Sequence, residues 1–313
     1  MLTRRHIRVK VMQSLYAYAR SHNNNLKGEE KFLLRSMDGM YDLYLLMLDL
    51  MVSVKDHADN ILEKSKEKHL ATEEDRNPNS KFVNNQVILM LEQNERLQSE
   101  LETRKLNNWK NDDEYVHILW EELRKSELYS EYMSDRDSDF RKDKEFVIEF
   151  FKEIIAPNER LYEYLEDRKL TWLDDFPLVN TAIIKMLQKL KPQGTEHTIS
   201  KMYRNKEDEE FGVNLFRRTL LKNEMLAQEM EGKTPNWDKE RIADVDTILI
   251  KMGICEFLRF PSIPVKVTIN EYLEIAKEYS TPKSSVFING VLDKLSKEYH
   301  ENGKLNKMGR GLM

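Results

Sequence analysis

The residues with the clearest chemical potential lie at the start of the chain, where positive charge is concentrated. Residues 1–10 hold four basic side chains and one histidine but no acidic residue: Arg4, Arg5, Arg8, Lys10 and His6. Arginine and lysine bind phosphate groups, and aromatic rings stack on the unpaired bases of single-stranded RNA. Because aromatic residues follow these cations, the segment predicts a binding site for single-stranded RNA.

A single helix would position these groups. Thr3 can cap a helix over residues 4–20, in which an apolar stripe at about 100° per residue contains Ile7, Val11, Leu15 and Tyr18. A second face, cationic first and aromatic further on, contains Arg5, Arg8, Gln13 and Tyr16. Each arginine at the positive end of a helix dipole is unfavourable by about 0.3–1 kcal/mol. We therefore expect an anion to compensate, and RNA phosphate would do so.

Composition predicts an all-α protein whose positive charge is local. The 313 residues carry a net charge of −5, and 34% are charged while 40% are hydrophobic, with only 10 Gly and 8 Pro. This balance favours long amphipathic helices. Cys255 is the single cysteine, so we expect no disulfide within the chain, a buried thiol and a reducing cytoplasm.

The chain is expected to be cytoplasmic and not to enter a membrane. Its N-terminus becomes charged before an apolar signal region develops. The most apolar run, residues 40–54, is interrupted by Asp42 and Asp49 and is too short to span a bilayer. We predict that this run is a core helix.

No residue pattern indicates an enzyme, a metal site or a cofactor. The seven histidines have no i, i+3 or i+4 pair, and Cys255 lies in no glycine-rich elbow. The Gly309-Arg310-Gly311 sequence is preceded by no strand and followed by no helix, which argues against a dinucleotide site. Periodicity predicts helices over residues 30–66, 82–105, 114–133, 145–155, 159–167, 208–230, 241–258, 265–279 and 284–300.

Two distant segments resemble one family. The sequence DVDTILIKMGICEFLRFPSIPVKVTINEYLEIAKEYSTPKSSVFINGVLDKLSKEY closely resembles the C-terminal half of the NusB family of bacterial transcription antitermination factors. Its specific elements are the connector with two prolines, residues 264–271 and residues 284–293. The N-terminal RRHIRVKVMQSLYAY is similar to the arginine-rich first helix of that family. Residues 143–186 match loosely, and residues 27–142 match nothing in the short members.

The resemblance implies a domain organisation. It predicts an all-α fold of two small helical bundles of the NusB type, with an additional helical insertion after the first helix. Residues 1–26 would form the arginine-rich first helix, 27–142 the insertion and 143–300 the remaining core, followed by a disordered basic tail at 301–313.

The resemblance also implies a function and a set of site residues. Family members bind boxA RNA of ribosomal RNA leaders together with NusE, a small-subunit ribosomal protein, and help RNA polymerase to read through terminators. The RNA-binding positions fall on Arg4, Arg5, Arg8, Tyr16, Tyr18, Tyr279, Lys283, Ser284 and Phe287. The implied partner surface includes Asp246 and Val265. In the last predicted helix, helical geometry places Phe287 at the edge of a core stripe, where its ring can be half exposed to stack on a base or can pack in the core.

Two positions depart from the family pattern, and other functions remain open. Val286 stands where many members have a basic residue, for which Lys283 could substitute. His6 replaces a frequent arginine, so RNA binding could weaken above about pH 6.5. An alternative is a helical scaffold whose RNA site has degenerated. An RNA methyltransferase is disfavoured, because the chain lacks a glycine-rich turn between strand and helix.

Overall fold

The computed structural model describes residues 2–21, 25–67, 72–135, 137, 139–192, 199–233 and 243–312. The described chain is built from helices joined by short connections, which confirms the predicted all-α fold class. The helices are α1 Arg4–Ser21, α2 Leu26–Lys66, α3 Glu73–Arg76, α4 Gln86–Glu92, α5 Glu95–Arg104, α6 Asn108–Asn111, α7 Asp113–Lys125, α8 Glu127–Ser134, α9 Phe140–Phe150, α10 Glu159–Arg168, α11 Phe176–Lys189, α12 Lys206–Leu221, α13 Asn223–Met230, α14 Asp244–Arg259, α15 Val265–Tyr279 and α16 Ser284–Glu301. Short π or 3₁₀ turns occupy Phe151–Ile155, Leu170–Trp172 and Gly309–Leu312.

The chain divides into two compact units. Unit 1 comprises Asp38–Met202, and unit 2 combines Leu2–Met37 with Tyr203–Met313. Helix α2 therefore contributes its first turns to unit 2 and the remainder to unit 1. These divisions at 37/38 and 202/203 differ from the sequence-based boundaries at 26/27 and 142/143. A family insertion and a compact unit are different properties, so the predicted insertion at 27–142 stays a prediction.

An aromatic cluster forms much of the core of unit 1. The Phe82 ring stacks on Trp120 with centroids 5.7 Å apart and meets the edge of Phe146 at 5.8 Å. The indole nitrogens of Trp109 and Trp172 donate to carbonyl oxygens of α2, at 2.8 and 2.6 Å. Large rings thus fill the core, and these two indole nitrogens remain hydrogen-bonded within it.

Capping residues explain why several predicted helices are shorter than expected. Residues 82–105 form α4 and α5 rather than one helix, because the Asn94 side chain accepts from the backbone of Leu97 and starts α5. Residues 114–133 divide where Ser126 caps α8. Asp139 starts α9 earlier than predicted by accepting from the Lys142 backbone. Residues 208–230 also divide, at Lys222 between α12 and α13, without a capping hydrogen bond from the Lys222 side chain.

Unit 2 is organised around α1, which packs on α12, α14 and α15. The capping role of Thr3 is seen in two 3.4 Å hydrogen bonds exchanged with His6. A Cβ at Gly212 on α12 would lie 2.7 Å from the Ile7 side chain, so this glycine allows the two helices to approach closely. Residues 7–12 are all buried. Helix α1 is therefore surrounded by the core in its first half, rather than docked by a single stripe.

The C-terminal helices agree closely with the sequence-based expectation. Helix α15 begins and ends where predicted, and α16 extends one residue further than predicted. The predicted core stripe of α16 is buried: Ile288, Val291, Leu292, Leu295 and Tyr299. Cys255 is buried on α14, as expected. The predicted start of α14 at residues 241 and 242 lies outside the described residues.

The C-terminal tail departs from the expectation of disorder over its described residues. The backbone of Met308 donates to the Pro261 carbonyl at 3.1 Å, and the Lys307 ammonium donates to the carbonyls of Glu256 and Phe260. Gly311 is buried against Pro261. The tail thus covers carbonyls at the end of α14 and the connector that follows. Within the part of the chain that is described, none of the helices has the length and apolar character required to cross a membrane.

Candidate nucleic-acid interface

A buried ion pair lies at the centre of the predicted basic helix. The Arg8 guanidinium donates to both carboxylate oxygens of Glu256, at 2.6 and 2.9 Å. The Arg8 side chain is 2% exposed and that of Glu256 is fully buried. Burial alone lowers the pKa of Arg8, but Glu256 reverses this effect and leaves the pKa raised. Arg8 therefore remains charged inside the protein, away from the surface.

Two hydroxyl groups complete the shell around the Glu256 carboxylate. Tyr272 donates to one oxygen at 2.7 Å and Thr268 to the other at 3.1 Å. Burial and the adjacent Glu256 raise the pKa of Tyr272 well above its usual value, so the phenol keeps its proton. Each carboxylate oxygen thus accepts one hydrogen bond from the guanidinium and one from a hydroxyl group. A buried charge requires such hydrogen bonds to compensate for its loss of hydration.

The other two arginines are nearer the surface and are also paired with acids. Arg4 is half-buried and contacts Asp208 at 2.7 Å and Glu207 at 2.8 Å. Arg5 is 43% exposed and donates to both oxygens of Glu271, at 2.8 and 3.0 Å. The hydrogen bonds from Arg5 to Glu271 raise the pKa of Arg5.

These carboxylates supply the anionic compensation that the sequence suggested for RNA phosphate. Three arginines at the start of α1 are each neutralised by acids of α12, α14 or α15. The arginine cluster alone therefore does not require a phosphate ligand. A phosphate would reach Arg5, the most exposed of the three, by displacing Glu271.

The aromatic residues of α1 lie nearer its C-terminal end. Tyr16 is 38% exposed, and the guanidinium of Arg20 lies 5.5 Å from its ring centroid. Tyr18 is half-buried and lines a cavity of about 380 Å³ together with Lys251 and Asn223. The predicted change from a cationic to an aromatic surface along α1 is thus present, with Arg5 and Tyr16 as its exposed members.

The second predicted segment, residues 279–287, is built around a buried aspartate. The two carboxylate oxygens of Asp246 accept from Ser280 at 2.6 Å and from Ser284 at 2.7 Å. Asp246 and Ser284 are both buried. Asp246, expected on a partner surface, is instead positioned to hold the start of α16.

The exposure of the remaining predicted residues is uneven. Phe287 is 5% exposed, so of the two alternatives its ring takes the core position. Tyr279 is half-buried, whereas Lys283 is exposed. Val286, which departs from the family pattern, is 75% exposed. Val265 is half-buried at the first position of α15.

The first turn of α14 connects the two predicted segments. Asp244 pairs with Arg20 at the end of α1, and two residues later Asp246 receives the hydroxyls of Ser280 and Ser284. The end of α1 and the start of α16, which are more than 200 residues apart in sequence, thereby contact the same helical turn. The sequence revealed both segments but not their connection, and it gave no sign that Glu256 and Glu271 neutralise the arginines.

Comparison with known proteins identifies the family. The NusB family model matches residues 181–297. A transcription antitermination protein NusB of Salinibacter ruber is 44% identical over 104 residues, which cover 33% of this chain and 65% of that protein. The protein of the same name from Chloroherpeton thalassium is 49% identical over 78 residues, covering 25% and 37%. That of Koribacter versatilis is 35% identical over 111 residues, covering 34% and 76%.

The described residues define an all-helical protein. The chain spans only part of two of these relatives, covering 65% of the Salinibacter protein and 37% of the Chloroherpeton protein. The chain belongs to the NusB family, because it covers most of the Koribacter relative at 35% identity. The expectation that it is not an enzyme agrees with this family. The family model includes Asp246, Val265 and residues 279–287, whereas α1 lies before it. No solved structure matches the chain.

Proposed function

We propose that this protein is a transcription antitermination factor that binds boxA-type single-stranded RNA of ribosomal RNA leaders together with NusE and promotes read-through by RNA polymerase. The observation that carries this proposal is membership of the NusB family, whose matched relatives are named transcription antitermination proteins. Helix α1 supports the proposal. Its exposed Arg5 pairs with Glu271, which lies within residues 181–297 that match the family model.

The predicted RNA-binding residues take two kinds of role in this proposal. Arg4, Arg5 and Lys283 contact phosphates, and Tyr16, Tyr18 and Tyr279 offer rings to unstacked bases. Arg8, Ser284 and Phe287 are buried and act as positioning residues: Arg8 fixes α1 against α14, and Ser284 fixes the start of α16 through Asp246. Phosphate contacts set the register of the strand, while base contacts give sequence preference.

The partner surface for NusE is proposed at the beginning of α15. Val265 is half-buried there, and Val267 is 44% exposed. An exposed apolar patch at a helix start suits a protein partner better than RNA phosphate. Asp246 is buried and binds Ser280 and Ser284 beyond the opposite end of α15, so its proposed role is to position that end of the helix and not to contact the partner.

One observation favours the alternative of a helical scaffold with a degenerate RNA site. Carboxylates already neutralise Arg4, Arg5 and Arg8. In a scaffold these pairs would only stabilise unit 2. In an RNA-binding protein, the exposed pair between Arg5 and Glu271 opens when phosphate arrives.

The experiment measures binding of a fluorescent boxA-type RNA to the full chain by anisotropy, with and without NusE, at several salt concentrations. Arg5→Ala should weaken binding about fivefold, equivalent to about 1 kcal/mol, and reduce the logarithmic salt slope by about 0.7. Glu271→Gln should strengthen binding, because it removes the carboxylate that competes with phosphate. The control is Arg217→Ala, since Arg217 is 50% exposed and paired with Glu30 but lies outside the proposed site.

NusE should tighten RNA binding by the wild-type chain if the two ligands are bound together. The RNA proposal fails if Arg5→Ala, Glu271→Gln and Arg217→Ala have equal affinities. An absence of RNA binding by the wild-type chain, both with and without NusE, would likewise refute the RNA proposal.

A further inference from the structure

Two histidines of unit 1 that are 60 residues apart in sequence meet at its surface. The Nδ1 atom of His117 on α7 lies 3.4 Å from the Nε2 atom of His57 on α2. The ring centroids are 5.4 Å apart, with an angle of 71° between the planes. Periodicity within one helix, the basis for expecting no metal site, cannot reveal a pair formed by two helices.

We propose that His57 and His117 form a binding site for a divalent transition-metal ion of the zinc class. The metal would be bound by His57 Nε2 and His117 Nδ1, with water molecules completing its coordination. Helices α2 and α7 would then be joined through the ion. The site lies in unit 1, outside residues 181–297 that match the family model, and does not depend on the proposed RNA function.

The distance between the two nitrogens is the one that a shared tetrahedral ion requires. Zinc binds imidazole nitrogen at about 2.0–2.1 Å, so two ligands separated by a tetrahedral angle of about 109° lie roughly 3.3–3.4 Å apart. The observed 3.4 Å agrees with this value. It is longer than the 2.7–3.2 Å that is usual for a hydrogen bond donated by nitrogen. A weak hydrogen bond between the rings is compatible with the same separation, like the 3.4 Å bonds between Thr3 and His6, and the zinc titration distinguishes the two arrangements.

Charged groups of both signs surround the histidine pair. Burial lowers the pKa of His57, and His117 and Lys64 lower it further. Asp113 and Glu121 act in the opposite direction, so both carboxylates lie close enough to affect the imidazole. They are one helical turn before and after His117 on α7. Glu121 already pairs with Arg124 and Lys125, so Asp113 is the carboxylate whose charge favours a cation at the pair.

The backbone on each side of the site is fixed by packing. Ala58, which follows His57, is 1% exposed, and Val116, which precedes His117, is 3% exposed. A metal would therefore bind between helices that are already packed in the core of unit 1, at little conformational cost. No group of three or more potential ligands forms a metal cluster among the described residues. The inferred site is thus a two-histidine site with open coordination positions.

The test is a calorimetric titration of the full chain with zinc chloride at pH 7.5. We expect His57→Ala and His117→Ala each to weaken the strongest zinc binding at least tenfold. The matched control is His300→Ala, because His300 is an exposed histidine on α16 in unit 2 and should not affect binding. Circular dichroism of each variant establishes that the helices are intact.

Two further measurements define the ligand chemistry. Zinc should shift the imidazole resonances of His57 and His117 together in the NMR spectrum of the wild-type chain, and magnesium should not, because magnesium prefers oxygen ligands. At pH 5.5 zinc affinity should fall, since protons compete for the ring nitrogens. Equal zinc affinity in the wild type and both single variants would overturn the proposal, as would an equal loss in His300→Ala.

Discussion

The pair between Arg8 and Glu256 allows a sharp prediction about the stability of unit 2. Replacing Arg8 with methionine keeps most of the side-chain volume but removes the charge. The Glu256 carboxylate would then remain buried with only the hydroxyls of Tyr272 and Thr268. Breaking a buried ion pair by removing one partner costs about 3–5 kcal/mol. We expect a loss of this size in Arg8→Met, which corresponds to a decrease of roughly 6–20 °C in the melting temperature.

Far-UV circular dichroism during urea unfolding gives the free energy of unfolding. Hydrogen exchange of the α14 amides reports separately on the stability of unit 2. Arg217→Met is the matched control, since its pair with Glu30 is exposed and should contribute at most about 1 kcal/mol. A double-mutant cycle with Glu256→Gln isolates the pair. We expect Arg8→Met combined with Glu256→Gln to be at least about 2 kcal/mol more stable than the sum of the single changes predicts.

Two outcomes would refute this reasoning. A cost below about 1 kcal/mol for Arg8→Met would mean that the guanidinium reaches water. Strict additivity of the two changes would mean that no coupling exists across the 2.6 and 2.9 Å contacts.

Two more predictions concern titrating groups. Burial raises the pKa of Asp49 to about 6, opposed by Lys110 and assisted by Asp56. The contribution of Asp49 to the free energy of unfolding should therefore fall as pH rises from about 4 to 6. Asp49→Asn should remove this dependence and add about 1–3 kcal/mol at pH 7, measured by urea unfolding, and an unchanged pH profile would contradict the assignment. Burial also raises the pKa of the Cys255 thiol to about 11, so maleimide at pH 7.5 should react at least roughly a hundredfold more slowly with the native protein than with the unfolded chain; equal rates would exclude a buried, protonated thiol.

Much of the helical architecture could be predicted because it depends on local pattern. The bounds of α1 and α16 were predicted to within one residue, and those of α15 matched. The breaks within residues 82–105 and 114–133 were missed, although Asn94 and Ser126 are good capping residues. Periodicity continues across such a break, so the apolar pattern outweighs the local signal of a cap.

The residues of the candidate RNA site could be proposed from the sequence, but their contacts could not. The charge pattern indicated the basic helix, and the family resemblance added residues 279–287 to the candidate site. Neither gave information about which carboxylates meet Arg5 and Arg8, because Glu271 and Glu256 lie more than 240 residues away. The meeting of His57 and His117 depends in the same way on helix packing. Contacts between distant segments depend on the tertiary fold and cannot be inferred from local residue patterns.

The long separation between Arg8 and Glu256 has a consequence for biosynthesis. Arg8 leaves the ribosome 248 residues before its buried partner. At a translation rate of about 5–20 residues per second, roughly 12–50 s pass between the synthesis of Arg8 and that of Glu256. During this interval the whole of residues 38–202 is made, so unit 1 can complete its own core first. During the synthesis of each chain, the arginine-rich helix therefore lacks Glu256 as a partner, and its guanidinium groups are accessible to anions or chaperones near the ribosome.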